Sequence, residues 1–138
     1  MQPVEIKDIK NDDFEIWLPL WKSYQRFYEV DIPDSVTHKT WIRFLDPLEP
    51  IHAALAMVDG QAVGLVHFIY HRSTWATSDD CYLQDLFVAA DGRGNGVGRA
   101  LIEHVYANAK SRGVSRVYWL THESVSYTHL TLPTKRIV

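Results

Sequence analysis

The chain has 138 residues, enough for one domain with a two-layer core and too few for two domains of ordinary size. Hydrophobic residues make up 46% and charged residues 22%, with five Trp, seven Tyr and five Phe, which excludes disorder over most of the length. Fourteen Lys and Arg against seventeen Asp and Glu leave a formal charge of −3, so no nucleic-acid partner gathered by charge is expected.

Cys81 stands alone, which rules out an internal disulfide and fits a reducing compartment. The seven His are scattered. His67 and His71 are four apart, but in a segment that reads as strand, so no metal is expected. The N-terminus lacks the apolar run of a signal peptide, and no stretch approaches the length of a membrane span. A soluble cytoplasmic protein with no membrane partner is the expectation.

In chain order, Pro3 to Ile9 alternates as a short strand, and Asp12 or Asp13 is placed to cap a helix after it. Phe14 to Tyr28 has apolar residues at spacings of three and four, the mark of a helix, with Pro19 either kinking it or marking its first turn. A second helix opens at Asp34 or Ser35 and is stopped by Asp46-Pro47. Ile51–Val58 and Ala62–Tyr70 are two apolar runs joined by Asp59-Gly60, which predicts a hairpin. Cys81–Val88 is a third strand-length run. Glycine-rich Ala89–Gly98 comes next, then a helical pattern from Arg99 to Ser111 ended by Gly113 at C′, and a last alternating strand over Val114–Thr121. The expected order is β-α-α-β-β-β-α-β, an α/β layer fold.

The glycine-rich loop carries the chemistry. Gly94, Gly96 and Gly98 free the backbone to turn tightly and bring successive N–H groups to a helix N-terminus, where phosphate is stabilised by unpaired donors and the helix dipole. The plainer reading is a strand-to-helix turn with no ligand. Walker A requires Lys and then Ser or Thr after its last glycine, whereas Gly98 is followed by Arg99 and Ala100. A dinucleotide fingerprint belongs after the first strand of a βαβ unit, and this loop comes after a hairpin.

Arg93-x-x-Gly96-x-Gly98, preceded by YLQDLFV and followed by RALIEHVYANAKSRG, resembles the acetyl-coenzyme A signature of the GNAT superfamily of N-acetyltransferases. The order of elements from Val4 to Glu123 is similar to that family's, and VYWLTHE resembles a bacterial branch akin to Hpa-type histone and polyamine acetyltransferases. The resemblance implies the acyl-CoA N-acyltransferase fold, a mixed and mostly antiparallel sheet with flanking helices. It also implies acetyl-CoA as cosubstrate and direct acetyl transfer to a primary amine of a small amine, polyamine, amino acid or protein lysine. Main-chain groups of Leu86, Phe87 and Val88 would pair with the pantetheine arm. Those of Arg93, Gly94, Asn95, Gly96, Val97, Gly98 and Arg99 would hold the pyrophosphate. The reacting centre would lie near Gln84, Asp85 and His122. In related spermidine-type enzymes Glu occupies the place of Gln84, and Gln cannot accept a proton. Asp85 is the nearest carboxylate and by strand alternation faces the layer opposite Gln84. It would orient or deprotonate the amine, or else serve as a structural carboxylate.

Phe27, Tyr28, Asp31, Arg72 and Trp75 are the acceptor-binding candidates: aromatics beside Asp31 suit a cationic amine, and Arg72 suits a carboxylate. A homodimer is a possible assembly. The alternative reading is a noncatalytic acyl-CoA-binding or regulatory module, or an inactive fragment of an enzyme, motivated by Gln84. After residue 124 the sequence departs from the family pattern, and VSYTHLTLPTKRIV at 125–138 resembles translated sequencing adapter. Residues 1–124 are therefore expected to be an incomplete acetyltransferase domain and 125–138 a non-native tail.

Overall fold

The computed structural model describes residues 3–120. Its sheet has strands β1 (Glu5–Asp8), β2 (Ile51–Val58), β3 (Gln61–His71), β4 (Asp80–Val88) and β5 (Val117–Tyr118), in that spatial order among the described residues. Successive pairs are antiparallel except β4 with β5, which run parallel. The helices are α1 (Phe14–Phe27), α2 (Asp34–Leu45) and α3 (Val97–Ser111). The expected element order and the mixed, mostly antiparallel sheet are both found.

β2 and β3 form where apolar β-formers run almost without interruption, and such a run is buried on both faces. Ala54, Val66, Phe68 and Leu83 pack with Leu101 and Val105 of α3 on one face. Leu55 and Leu65 pack with Trp17, Trp21 and Trp41 of α1 and α2 on the other. The core is thus helix–sheet–helix, three layers rather than the two that length alone suggested. The hairpin turn is as read: Asp59 and Gly60 have φ of 52° and 75°, the left-handed pair that matches strand twist.

α1 buries Trp17, Leu20, Trp21 and Gln25 on one stripe. Pro19 lies inside this helix on its exposed side, so the carbonyl it leaves unbonded, that of Glu15, faces water. Asp13 stands at the N-cap of α1 but gives no side-chain cap. Its carboxylate instead accepts the Lys10 N–H at 2.8 Å and the Lys7 ammonium at 2.9 Å.

Two departures shape the functional end of the sheet. The β3–β4 register runs from His67↔Asp85 to Phe68↔Leu83 and leaves Gln84 unopposed, a β-bulge. β5 is two residues long, where the alternation in sequence predicted eight. It pairs only through Cys81↔Val117 and Tyr82↔Tyr118, and the bulge lies immediately beyond the last pair. Bulges end pairing and bend the strand that carries them. From Leu83 to Val88 the outer edge of β4 has no partner strand among the described residues.

Candidate active site

The bulge decides where Asp85 points. Leu83 and Leu86 both pack on the α3 side of the sheet, with two residues between them instead of one. Asp85 therefore turns to the α1 side. Gln84 is exposed.

On the α1 side Asp85 is held through both oxygens. The Tyr24 hydroxyl donates to Oδ1 at 2.6 Å, and Nδ1 of His67 lies 2.9 Å from Oδ2. The Trp17 indole N–H donates to Nε2 of His67 at 3.0 Å. The His67 side chain is 3% exposed and that of Asp85 13%, so the carboxylate meets solvent only at one rim. Trp21 and Phe44 enclose the imidazole, each with its ring centre 4.8 Å away. Burial foremost, and then the Asp85 carboxylate as hydrogen-bond acceptor and neighbouring charge, push ionisation of Tyr24 far above its ordinary value. Its hydroxyl is a permanent donor. Tyr82 is raised in the same direction, by burial and then by Asp85.

The other named residues fall in two groups. Phe27 and Tyr28 line the rim: Tyr28 packs on Tyr24 at 4.9 Å, and Phe27 on Phe87 at 6.4 Å between centroids. Asp31 is exposed in the connection after α1, beside Ile32, whose N–H is tied to Gln25 at 2.8 Å. Arg72 and Trp75 lie on the connection between β3 and β4. The Arg72 guanidinium pairs with Asp79 at 3.4 Å and is almost wholly in solvent, and Trp75 is 85% exposed. Neither touches Tyr24, His67 or Asp85 in any hydrogen bond or ring contact among the described residues. His122 and the 125–138 segment lie outside the described residues.

Sequence reasoning missed Trp17, Tyr24 and His67. The one available signal was His67 itself, a polar residue inside an apolar strand, which demands a partner when buried.

The glycine-rich loop folds as an open cradle. Gly94 and Gly96 have φ of +85° and +73°, and a Cβ at either would meet nothing within 4 Å. Gly96 is the N-cap of α3 with no side-chain cap, and the first bond closing the helix runs from the Ala100 N–H to the Gly96 carbonyl at 3.0 Å. The N–H groups of Val97, Gly98 and Arg99 therefore have no helical acceptor and point out of the N-terminus. Together with the open β4 edge at Leu86, Phe87 and Val88, these donors fit a pyrophosphate with an extended amide arm. Among the described residues no group of His, Cys, Asp and Glu could hold a metal ion, and no helix is long and apolar enough to cross a membrane.

Residues 7–129 match the acetyltransferase (GNAT) family. The chain belongs to that family. GNAT members move an acetyl group from acetyl-CoA to an amine. The chain is similar to the D-amino-acid N-acetyltransferase HPA3 of Saccharomyces cerevisiae, with 35% identity over 98% of this chain and 88% of that protein. Among solved structures it resembles a ribosomal-protein-alanine N-acetyltransferase from Brucella melitensis biovar Abortus 2308, with 26% identity, a TM-score of 0.67, and 85% and 78% of the two chains covered. It shares its fold with the aminoglycoside N-acetyltransferase AAC(6')-Iy in complex with CoA, at 20% identity and a TM-score of 0.78, covering 90% and 80% of the chains.

Proposed function

We propose that this GNAT chain acetylates the amino group of a free amino acid, with Asp85 placing and deprotonating that group. The observation that carries the proposal is the Asp85 carboxylate, turned by the bulge at Gln84 toward the aromatic surface of α1 beside the open β4 edge. An acceptor amine reaches the site as an ammonium ion and must lose a proton to become a nucleophile. Asp85 attracts the cation, the ring faces of Tyr24 and Tyr28 add to that attraction, and the carboxylate takes the proton. Acetyl-CoA supplies the activated acetyl thioester. The Leu86–Val88 backbone orients its arm, and the N–H groups at the start of α3 hold its phosphates. The amino-acid class is supported by the relative that shares 35% of its residues, named as a D-amino-acid acetyltransferase.

Release of CoA thiol is the assay, over D- and L-amino acids, spermidine, a lysine peptide and an aminoglycoside. Amino acids are expected to turn over fastest, and faster turnover of spermidine or the peptide would reject the acceptor assigned here. Asp85→Asn is expected to lower kcat/KM about 10²-fold with acetyl-CoA affinity unchanged. A wild-type rate would make Asp85 a structural carboxylate. Tight acetyl-CoA binding with no thiol released on any acceptor would favour a noncatalytic acyl-CoA-binding module, the reading that Gln84 motivates.

A further inference from the structure

We propose that His67 is a positioning residue for Asp85, held as the neutral Nδ1–H tautomer by the indole of Trp17. The proposal rests on the reading of Asp85 as the group that handles the acceptor's proton.

An indole N–H only donates, so the nitrogen facing it must present a lone pair. Nε2 of His67 faces that N–H at 3.0 Å. The single proton of a neutral ring then sits on Nδ1, which donates to Asp85 Oδ2 at 2.9 Å. A doubly protonated ring would set two N–H groups head to head across the Trp17 contact. With His67 only 2% exposed, no solvent stands ready to relieve that arrangement. The close pair of His67 and Asp85 is therefore a hydrogen bond from a neutral donor and not an ion pair.

The distinction matters for the chemistry. A histidinium beside Asp85 would cancel the negative charge that draws an ammonium ion, whereas a neutral Nδ1–H fixes the carboxylate and leaves its charge in place. Tyr24 fixes the other oxygen. Trp17 and Tyr24 both stand on α1, two turns apart on one face, so one helix closes the chain Trp17–His67–Asp85–Tyr24 at both ends. The groups packed around the imidazole are Trp17 and Trp21 from α1, Phe44 from α2 and Asp85 from β4. The titratable groups facing Asp85 are His67, Tyr24 and Tyr82, and both tyrosines are held in their protonated form.

Nitrogen-15 NMR of the imidazole in the full chain tests the tautomer without any turnover, so its failure is separable from failure of the acetyl-transfer reading. Nδ1 is expected protonated and Nε2 unprotonated in the native chain at neutral pH. An Nε2–H tautomer, or a doubly protonated ring at that pH, overturns the proposal. His67→Asn and His67→Leu then separate positioning from packing. The Asn amide nitrogen takes roughly the place of Nδ1 and keeps the donor, while Leu keeps the volume and loses it. On the best acceptor, His67→Leu is expected to lower kcat by about tenfold or more with KM for acetyl-CoA unchanged, and His67→Asn to stay within about threefold of wild type. Equal rates for the two variants would reduce His67 to a space-filling residue. If the Leu variant fails to fold, Trp17→Phe serves in its place. With the indole donor deleted the Nε2 resonance is expected to move from its wild-type position, as that of a lone pair that has lost its hydrogen bond, and an unchanged Nε2 signal overturns the role given to Trp17.

Discussion

Tyr24 shows how one side chain's surroundings choose its role. Its hydroxyl is 2.6 Å from Asp85 Oδ1. Burial, and then the carboxylate, keep it protonated well beyond its ordinary value near 10. A group that does not ionise at working pH orients a carboxylate and takes up no proton from the acceptor. Tyr24→Phe is therefore expected to lower kcat/KM by about threefold to tenfold at every pH while leaving the alkaline limb of the profile where it was. Loss of that limb would mean that Tyr24 ionises during turnover. Stability carries the same sign. The unfolded chain gives up this proton first as pH rises, so the contribution of Tyr24 is complete below about pH 10 and is lost above it. Alkaline denaturation of Tyr24→Phe should accordingly be the shallower of the two.

In the loop before α3, the proposed cofactor site, two glycines answer differently to substitution. Gly96 has φ of +73°, so a valine at that place is strained by about 1–2 kcal/mol whatever the space around it. Gly98 lies in the first turn of α3, and its added Cβ would meet the Val88 side chain at an ordinary 3.7 Å. Gly96→Val is expected to lower both Tm and acetyl-CoA affinity. Gly98→Val should weaken acetyl-CoA about tenfold with Tm near wild type, because it adds a side chain beside the N–H groups at the start of α3 that would hold the phosphates. Calorimetric titration and thermal melts check both, and unchanged affinity in both folded variants would reject this loop as the cofactor site. The loop was legible in the sequence because its information is local: glycines, a strand before and a helical period after. The hairpin was legible for the same reason, through Asp59-Gly60. The bulge was not, because CYLQDLFV reads as one strand-length run and only pairing with β3 reveals that Gln84 has no partner opposite. His67 and Tyr24 were hidden by distance, standing 18 and 61 residues from the Asp85 they serve. The length of β5 was overread because the pattern Val114–Thr121 records which residues face inward and not where the neighbouring strand turns away.

Across the whole molecule, acid should act first on the layer that carries α3. Besides the Trp17–His67–Asp85–Tyr24 chain on the α1 side, the α3 side holds a polar cluster of its own. His104 of α3 lies 2.8 Å from Asp8 of β1, and the Tyr70 hydroxyl donates to Asn108 of α3 with Arg112 over its ring. His52 of β2 stacks on Phe68, and its Nε2 has no hydrogen-bond partner among the described residues. Burial first, and then the Arg112 guanidinium, hold the His52 imidazole below its ordinary 6.5, with Asp8 pulling the other way. As pH falls through that value the unfolded chain takes the proton before the folded one, so stability declines from about pH 6.5 downward. Asp8 acts later. The hydrogen bond to His104 outweighs burial and keeps the carboxylate below its ordinary 3.8, so its contribution is complete above that pH and is lost only below it. His52→Phe keeps a ring against Phe68 and removes the titrating nitrogen. It is expected to shrink the fall in Tm between pH 7 and pH 5, whereas Asp8→Asn, which removes the charge that favours the His52 cation, should not shrink that fall and should lessen the further loss under about pH 4. Melting curves of the three proteins at matched ionic strength decide the matter: a His52→Phe variant with the full wild-type decline would assign the acid sensitivity to another group.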